Sequence, residues 1–208
     1  MIAIVDYEMG NVRSVQKAFE KLGHPAEVTP DPAKIRGADG VVLPGVGAFG
    51  DCMANLEKGG LREPVAAAVR SGKPFLGICL GLQLLFDESE EFGRQEGLGL
   101  VPGRVRRFPE KSPAGEAFKV PHIGWNEVRW KNRARIFEDL PDPGYFYFVH
   151  SYYVEPEDPS WIAGTSDYGL PFTVAVAKDN VWGVQFHPEK SQTLGLSILA
   201  RFGKLCQG

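Results

Sequence analysis

The segment Gly77-Ile78-Cys79-Leu80-Gly81 restricts the fold of this chain more than any other stretch. An apolar run, Pro74-Phe75-Leu76, leads into it, and a helix-like run, Leu82-Gln83-Leu84-Leu85-Phe86, leads out. A buried strand that turns directly into a helix, with a small residue on either side of a nucleophilic side chain, is the nucleophile-elbow pattern. The glycines would permit a tight, strained turn that a Cβ would obstruct. Cys79 then stands at the start of a helix read over residues 80–87, where the helix dipole favours thiolate over thiol. The N–H of Leu80 points into the same space and suits an oxyanion. An inert, buried cysteine at a strand–helix junction fits this segment about equally well.

A second segment shifts that balance. Val181-Trp182-Gly183-Val184-Gln185-Phe186 reads as a strand, and His187-Pro188-Glu189 follows it. Pro188 cannot continue a ladder and fixes its own φ, so it separates His187 from Glu189 rigidly. A thiol nucleophile needs a base, and the base needs a carboxylate on its other ring nitrogen. Taken alone, His187 would read as a surface-loop histidine. A metal site is disfavoured, because no third His or Cys stands at ligand spacing and H-E-x-x-H is absent. A cysteine elbow and a His-x-Glu strand end in one chain point instead to a Cys79–His187–Glu189 constellation.

The rest of the pattern supports one α/β domain over residues 1–208, with a mostly parallel central sheet covered by helices and an antiparallel extension in the second half. Short apolar strands at 2–5, 40–43 and 75–78 alternate with helical stretches at 11–22 and 61–71. From about residue 104 the rhythm becomes strand–turn–strand, until a last helix begins near Ser191, a good N-cap. In such sheets sites lie at the carboxyl ends of strands, where Cys79 and His187 both fall. A net charge of −3 with mixed signs disfavours nucleic acid or a membrane surface as partner. The N-terminal stretch lacks a basic region and is interrupted by Asp6, so no secretory signal is expected. The longest mostly apolar run, residues 74–86, is too short for a bilayer. Three cysteines (Cys52, Cys79, Cys206) without a C-x-x-C pair fit a reducing cytoplasm.

Two further segments stand out. The glycine-dense loop 44–50 follows a strand and suggests a second oxyanion donor, from Val46 or Gly47; it does not match a phosphate loop. Pro121-His122-Ile123-Gly124-Trp125-Asn126 and Tyr147-Phe148-Val149-His150-Ser151-Tyr152 are rich in polar aromatics. These suit cross-strand packing or an interface, and His122 and His150 rival His187 as a base, though neither has an acid two or three residues away.

Together the elbow, the glycine loop and Gln185-Phe186-His187-Pro188-Glu189 resemble the class I (triad) glutamine amidotransferases, in that family's order. Asp6-Tyr7-Glu8-Met9-Gly10-Asn11 and the stretches at 121–126 and 147–152 narrow the resemblance to glutaminase subunits of imidazole glycerol phosphate synthase, of histidine biosynthesis. The resemblance implies that Cys79 attacks the glutamine amide, with His187 as base and Glu189 orienting it. A γ-glutamyl thioester forms, and Leu80 with Val46 or Gly47 stabilises the oxyanion. It further implies that Gly47, Gln83, Ser151 and Tyr152 hold glutamine. Asn11, Trp125, Tyr147 and Lys190 would lie at or near a separate cyclase subunit, a β/α barrel, in a heterodimer that needs no metal or organic cofactor. Three competitors remain: a glutaminase serving another synthetase, a silent partner-binding regulator, and a free-standing thiol hydrolase.

Overall fold

The computed structural model describes residues 1–111, 115, 117 and 119–208. Its parallel core consists of β1 (Ile2–Val5), β2 (Ala26–Thr29), β3 (Gly40–Gly45) and β4 (Phe75–Cys79), connected through helices α1 (Val12–Lys21), α2 (Pro32–Gly37), α3 (Phe49–Lys58) and α4 (Arg62–Arg70). After β4 come the single turn α5 (Leu80–Gln83) and strands β5 (Phe86–Ser89), β6 (Gln95–Glu96) and β7 (Val101–Arg107). The second half supplies β8 (His122–Trp130), β9 (Gly144–His150), β10 (Tyr152–Pro156), β11 (Ile162–Asp167), β12 (Pro171–Lys178) and β13 (Val181–Val184), then α6 (Gln192–Leu205).

Among the described residues the sheet runs β2-β1-β3-β4-β13-β12-β10-β7-β5-β6, with β11 branching from β12 and carrying the β8–β9 hairpin. The first five strands of that order are mutually parallel; β13 pairs with β4 on one side and antiparallel with β12 on the other. The α/β reading with an antiparallel extension therefore describes the molecule. Strand residues alternate between two cores, as a doubly covered sheet requires. Ile2, Ile4, Leu76 and Ile78 meet α1 and α6, while Ala3, Val5, Val41, Leu43 and Phe75 meet α2, α3 and α4. Val15, Ala18 and Phe19 give α1 its buried stripe. In α6 the stripe is Ile198, Leu199 and Phe202.

Several local expectations are corrected. The helix read over 80–87 stops at Gln83, and Phe86 begins a strand paired with Val101. An apolar run of this length suits a buried strand or a helix equally, and the open edge of β7 decides it. Ser191 does not cap α6 through its side chain. Its hydroxyl donates to the His187 carbonyl at 2.7 Å and accepts from Tyr147 N–H at 3.0 Å. The aromatic stretch at 147–152 spans the end of one strand and the start of another, broken at Ser151: β9 pairs with β8, and β10 with β7 and β12.

Candidate active site

The carboxyl ends of β3 and β4 and the segment following β13 converge on a cavity of about 330 Å³. It is lined by Val46, Gly47, Cys79, Leu80, Gln83, Glu91, Pro121, Val149, His150, Ser151, Tyr152 and His187. Cys79 itself takes the strained conformation, with φ 55° and ψ −112°, where a non-glycine residue costs roughly 1–3 kcal/mol. The flanking glycines have a different task from the one the sequence suggested. A Cβ on Gly77 would lie 2.8 Å from the Gly81 carbonyl oxygen, and one on Gly81 would run into the carbonyl oxygen of Leu43. They let β4 and α5 pack against each other and against β3, and that packing holds Cys79 in its strained turn.

His187 follows β13 in extended backbone, and its N–H donates to the Tyr147 carbonyl at 3.0 Å. Its side chain and that of Glu189 are almost completely buried, and His187 Nδ1 lies 2.8 Å from Glu189 Oε1. The same oxygen accepts from Asn11 Nδ2 at 3.2 Å, which ties the pair to the start of α1. A carboxylate only accepts, so the imidazole proton sits on Nδ1 and Nε2 is left for the cavity. His187 Nε2 and Glu189 Oε2 are buried without a hydrogen-bond partner among the described residues. Burial pulls the His187 pKa down, but the Cys79 sulfur and the Glu189 carboxylate more than reverse it, raising it to about 10.

The rival histidines behave differently. His122 and His150 hydrogen-bond each other at 2.9 Å, within a cluster that includes Phe108, Phe148, Tyr168 and Phe172. Burial drives their pKa values down, to about 4 and about 3. His150 lines the cavity as a neutral ring whose Nδ1 is committed to the Tyr152 carbonyl at 2.8 Å.

Gly47 has φ +107°, and Cys52 Sγ–H donates to the Val46 carbonyl at 3.7 Å. In a trans peptide this sends Gly47 N–H the opposite way. Gln83 is buried, and its Nε2 donates to Tyr152 O and to Gln185 Oε1, each at 3.0 Å. Only its oxygen is therefore open to a ligand. Sequence reading missed Glu91, which lines the cavity while its Oε2 accepts from Phe49 N–H at the start of α3, at 2.7 Å. No motif marks it, because it arrives from a turn after β5.

Beyond the cavity, Trp125 and Tyr147 face each other across β8 and β9, ring centroids 6.2 Å apart, and Lys190 Nζ sits 6.0 Å from the Tyr147 ring. Ile123, Trp125 and Tyr145 are large apolar side chains left exposed on this hairpin. Asn11 joins this region through Glu189, the neighbour of Lys190.

The chain belongs to the class-I glutamine amidotransferases: the model of that family, described as Glutamine amidotransferase class-I, matches residues 3–205. Within that class it falls among the HisH subunits of imidazole glycerol phosphate synthase. It is 59% identical to the imidazole glycerol phosphate synthase subunit HisH of Syntrophotalea carbinolica, over 99% of this chain and 100% of that one. To the same subunit of Geobacter sulfurreducens it is 56% identical, over 98% of each chain. Solved structures share the fold at lower identity. A glutamine amidotransferase superposes with a TM-score of 0.76 at 19% identity, covering 100% of both chains. The glutaminase domain of Trypanosoma brucei CTPS, with bound acivicin, gives 0.68 at 19%, covering 99% of this chain and 93% of that one.

Proposed function

We propose that this chain is the glutaminase subunit of an imidazole glycerol phosphate synthase, releasing ammonia for a separate cyclase subunit in histidine biosynthesis, with Cys79, His187 and Glu189 carrying the chemistry. The observation that supports the chemical part best is the buried His187, clamped by Glu189 at Nδ1, with an unpaired Nε2 in the cavity that holds Cys79.

With its pKa raised to about 10, His187 carries a proton at neutral pH. The thiolate attacks the side-chain amide carbon of glutamine, forming an S–C bond. The tetrahedral oxyanion is met by Leu80 N–H and by an N–H of the Val46–Gly47 peptide. As the C–N bond breaks, His187 gives its proton to the departing ammonia. Water then attacks the γ-glutamyl thioester while His187 takes and keeps one of its protons; the C–S bond breaks, glutamate leaves and gives the other proton to solvent, and the thiolate beside a protonated His187 is restored. Glu189 holds the ring and balances its charge throughout.

Gly47, Ser151, Tyr152 and the oxygen of Gln83 hold the substrate. Glu91, the one carboxylate among the described lining residues, matches its α-ammonium. The face formed by Trp125, Tyr147 and Lys190, with Asn11 behind it, receives the cyclase, a β/α barrel, in a heterodimer. Exposed aromatics of this kind are typical anchors of an interface.

The test is glutamate release from glutamine by the purified chain, alone and then with the cyclase and its nucleotide ligand. The expected outcome is little release alone and strong stimulation in the complex. Vigorous release that ignores the cyclase would keep the nucleophile but remove the partner, leaving the free-standing hydrolase.

A further inference from the structure

Gln185 is fully buried beside the nucleophile, and the roles above give it no task. Its amide is oriented by its neighbours. Tyr152 O only accepts, so the Gln83 atom 3.0 Å from it is the nitrogen. That nitrogen also lies 3.0 Å from the Gln185 amide, which must present its oxygen there. The nitrogen of Gln185 therefore faces Cys79, with Nε2 3.7 Å from Sγ.

The anchor of this arrangement is itself fixed. The Tyr152 carbonyl accepts a second bond from His150 Nδ1 at 2.8 Å, so His150 Nε2 is the acceptor for His122 Nδ1 at 2.9 Å. His122 Nε2 in turn accepts from Asn126 Nδ2 at 3.3 Å. Every donor in the series meets an acceptor, from β8 to the sulfur, and no amide in it can turn over without breaking a bond.

We propose that Gln185 is a positioning residue for the nucleophile: its amide N–H donates to Cys79 Sγ, favours thiolate over thiol and holds the sulfur toward His187, while Gln83 fixes the orientation of the amide. The inference rests on Cys79 being the nucleophile. A donor aimed at the charged form of an acid stabilises that form. The need for one is plain, because α5 is a single turn and contributes little dipole. The titratable groups around Cys79 are His187, His150, Glu91 and Tyr152 on the cavity wall, with Tyr7 and Cys52 close enough to feel its charge. Substituting Gln185 leaves all of these in place.

The experiment follows alkylation of Cys79 by iodoacetamide across pH, peptide by peptide by mass spectrometry, together with glutamine turnover in the complex with the cyclase. Cys52 and Cys206, pushed up by burial to about 11 and about 12, react slowly and do not interfere. Gln185→Met keeps the volume and removes the donor. It is expected to raise the alkylation midpoint by about one pH unit. Turnover at saturating glutamine should fall about tenfold to a hundredfold, with KM nearly unchanged. An unmoved midpoint, or a change in KM alone, would make Gln185 a packing residue and overturn the proposal. Should Gln185→Met fail to fold, Gln83→Met frees the same amide from the other side. It should move the midpoint in the same direction by less, and no movement overturns the proposal equally. Cys79→Ala in the same assay keeps the two readings apart. Retained glutamine hydrolysis there would remove the nucleophile itself, whatever Gln185 does.

Discussion

His187 and His150 line the same cavity, both buried, and their imidazoles are driven in opposite directions. His187, beyond the end of β13, is raised to about 10; His150, at the end of the β8–β9 hairpin, is lowered to about 3. Burial pushes both down, so burial does not distinguish them. The difference lies in what each ring meets: the Cys79 sulfur and the Glu189 carboxylate for His187, and for His150 a backbone carbonyl that does not offset burial beside two other histidines. The one is fitted to carry a proton; the other serves the aromatic cluster as a neutral ring. A histidine in a cleft becomes a base through its partner.

The sharpest way to break this comparison is to remove each ring in turn. His187→Asn should lower glutamine-dependent synthesis about 10³-fold while synthesis from added ammonia continues. His150→Asn should act through stability and spare most of the chemistry. Steady-state rates from both nitrogen sources check this, and equal losses in the two variants would undo the assignment of the base.

The next largest effect is on stability, where the two sites have opposite pH slopes. His122 and His150 stay neutral in the fold until pH falls to about 4 and about 3, whereas their unfolded forms take protons below about 6.5. The unfolded chain therefore binds more protons in that window, and stability is lost as pH falls through it, by about 2 kcal/mol per histidine at pH 5. His187 runs the other way. Its raised pKa gives stability that is full below about 6.5 and is lost as pH climbs toward about 10. Urea midpoints across pH should show both limbs, the alkaline one flattened by His187→Asn. A stability curve level from pH 7 to 5 would contradict the buried, neutral pair.

A smaller effect sharpens the role of the carboxylate. Asn11→Ala removes one hydrogen bond to Glu189 Oε1 and should lower glutamine turnover about threefold to tenfold. Affinity for the cyclase, measured separately by titration, distinguishes this from a docking effect.

Much of this was legible in the chain itself, for physical reasons that stop at identifiable places. The elbow and the His-Pro-Glu segment stand out in the sequence because strand, turn and the candidate side chains are contiguous. The helix Phe49–Lys58 went unread although Phe49, Cys52, Met53 and Leu56 carry its buried face, because the glycines just before it dominate the pattern. α2 was likewise missed, though Asp31 caps it by accepting from Ala33 N–H at 2.8 Å. Glu91 and Gln185 were beyond reach, since their importance lies in contacts 42 and 106 residues away. Ser191 looked like an ordinary cap because a hydroxyl before a helix does not show which backbone groups lie in range.

Gly45 and Gly77 both leave room for Gly81: a Cβ on Gly45 would lie 3.0 Å from Gly81 N and one on Gly77 2.8 Å from its carbonyl oxygen, while one on Gly81 would run into the Leu43 carbonyl. Anyone engineering a heat-resistant variant would ordinarily trade glycine for alanine to shrink the freedom of the unfolded chain. At these three positions the trade reverses sign, and the elbow has to be carried through any redesign as an indivisible block.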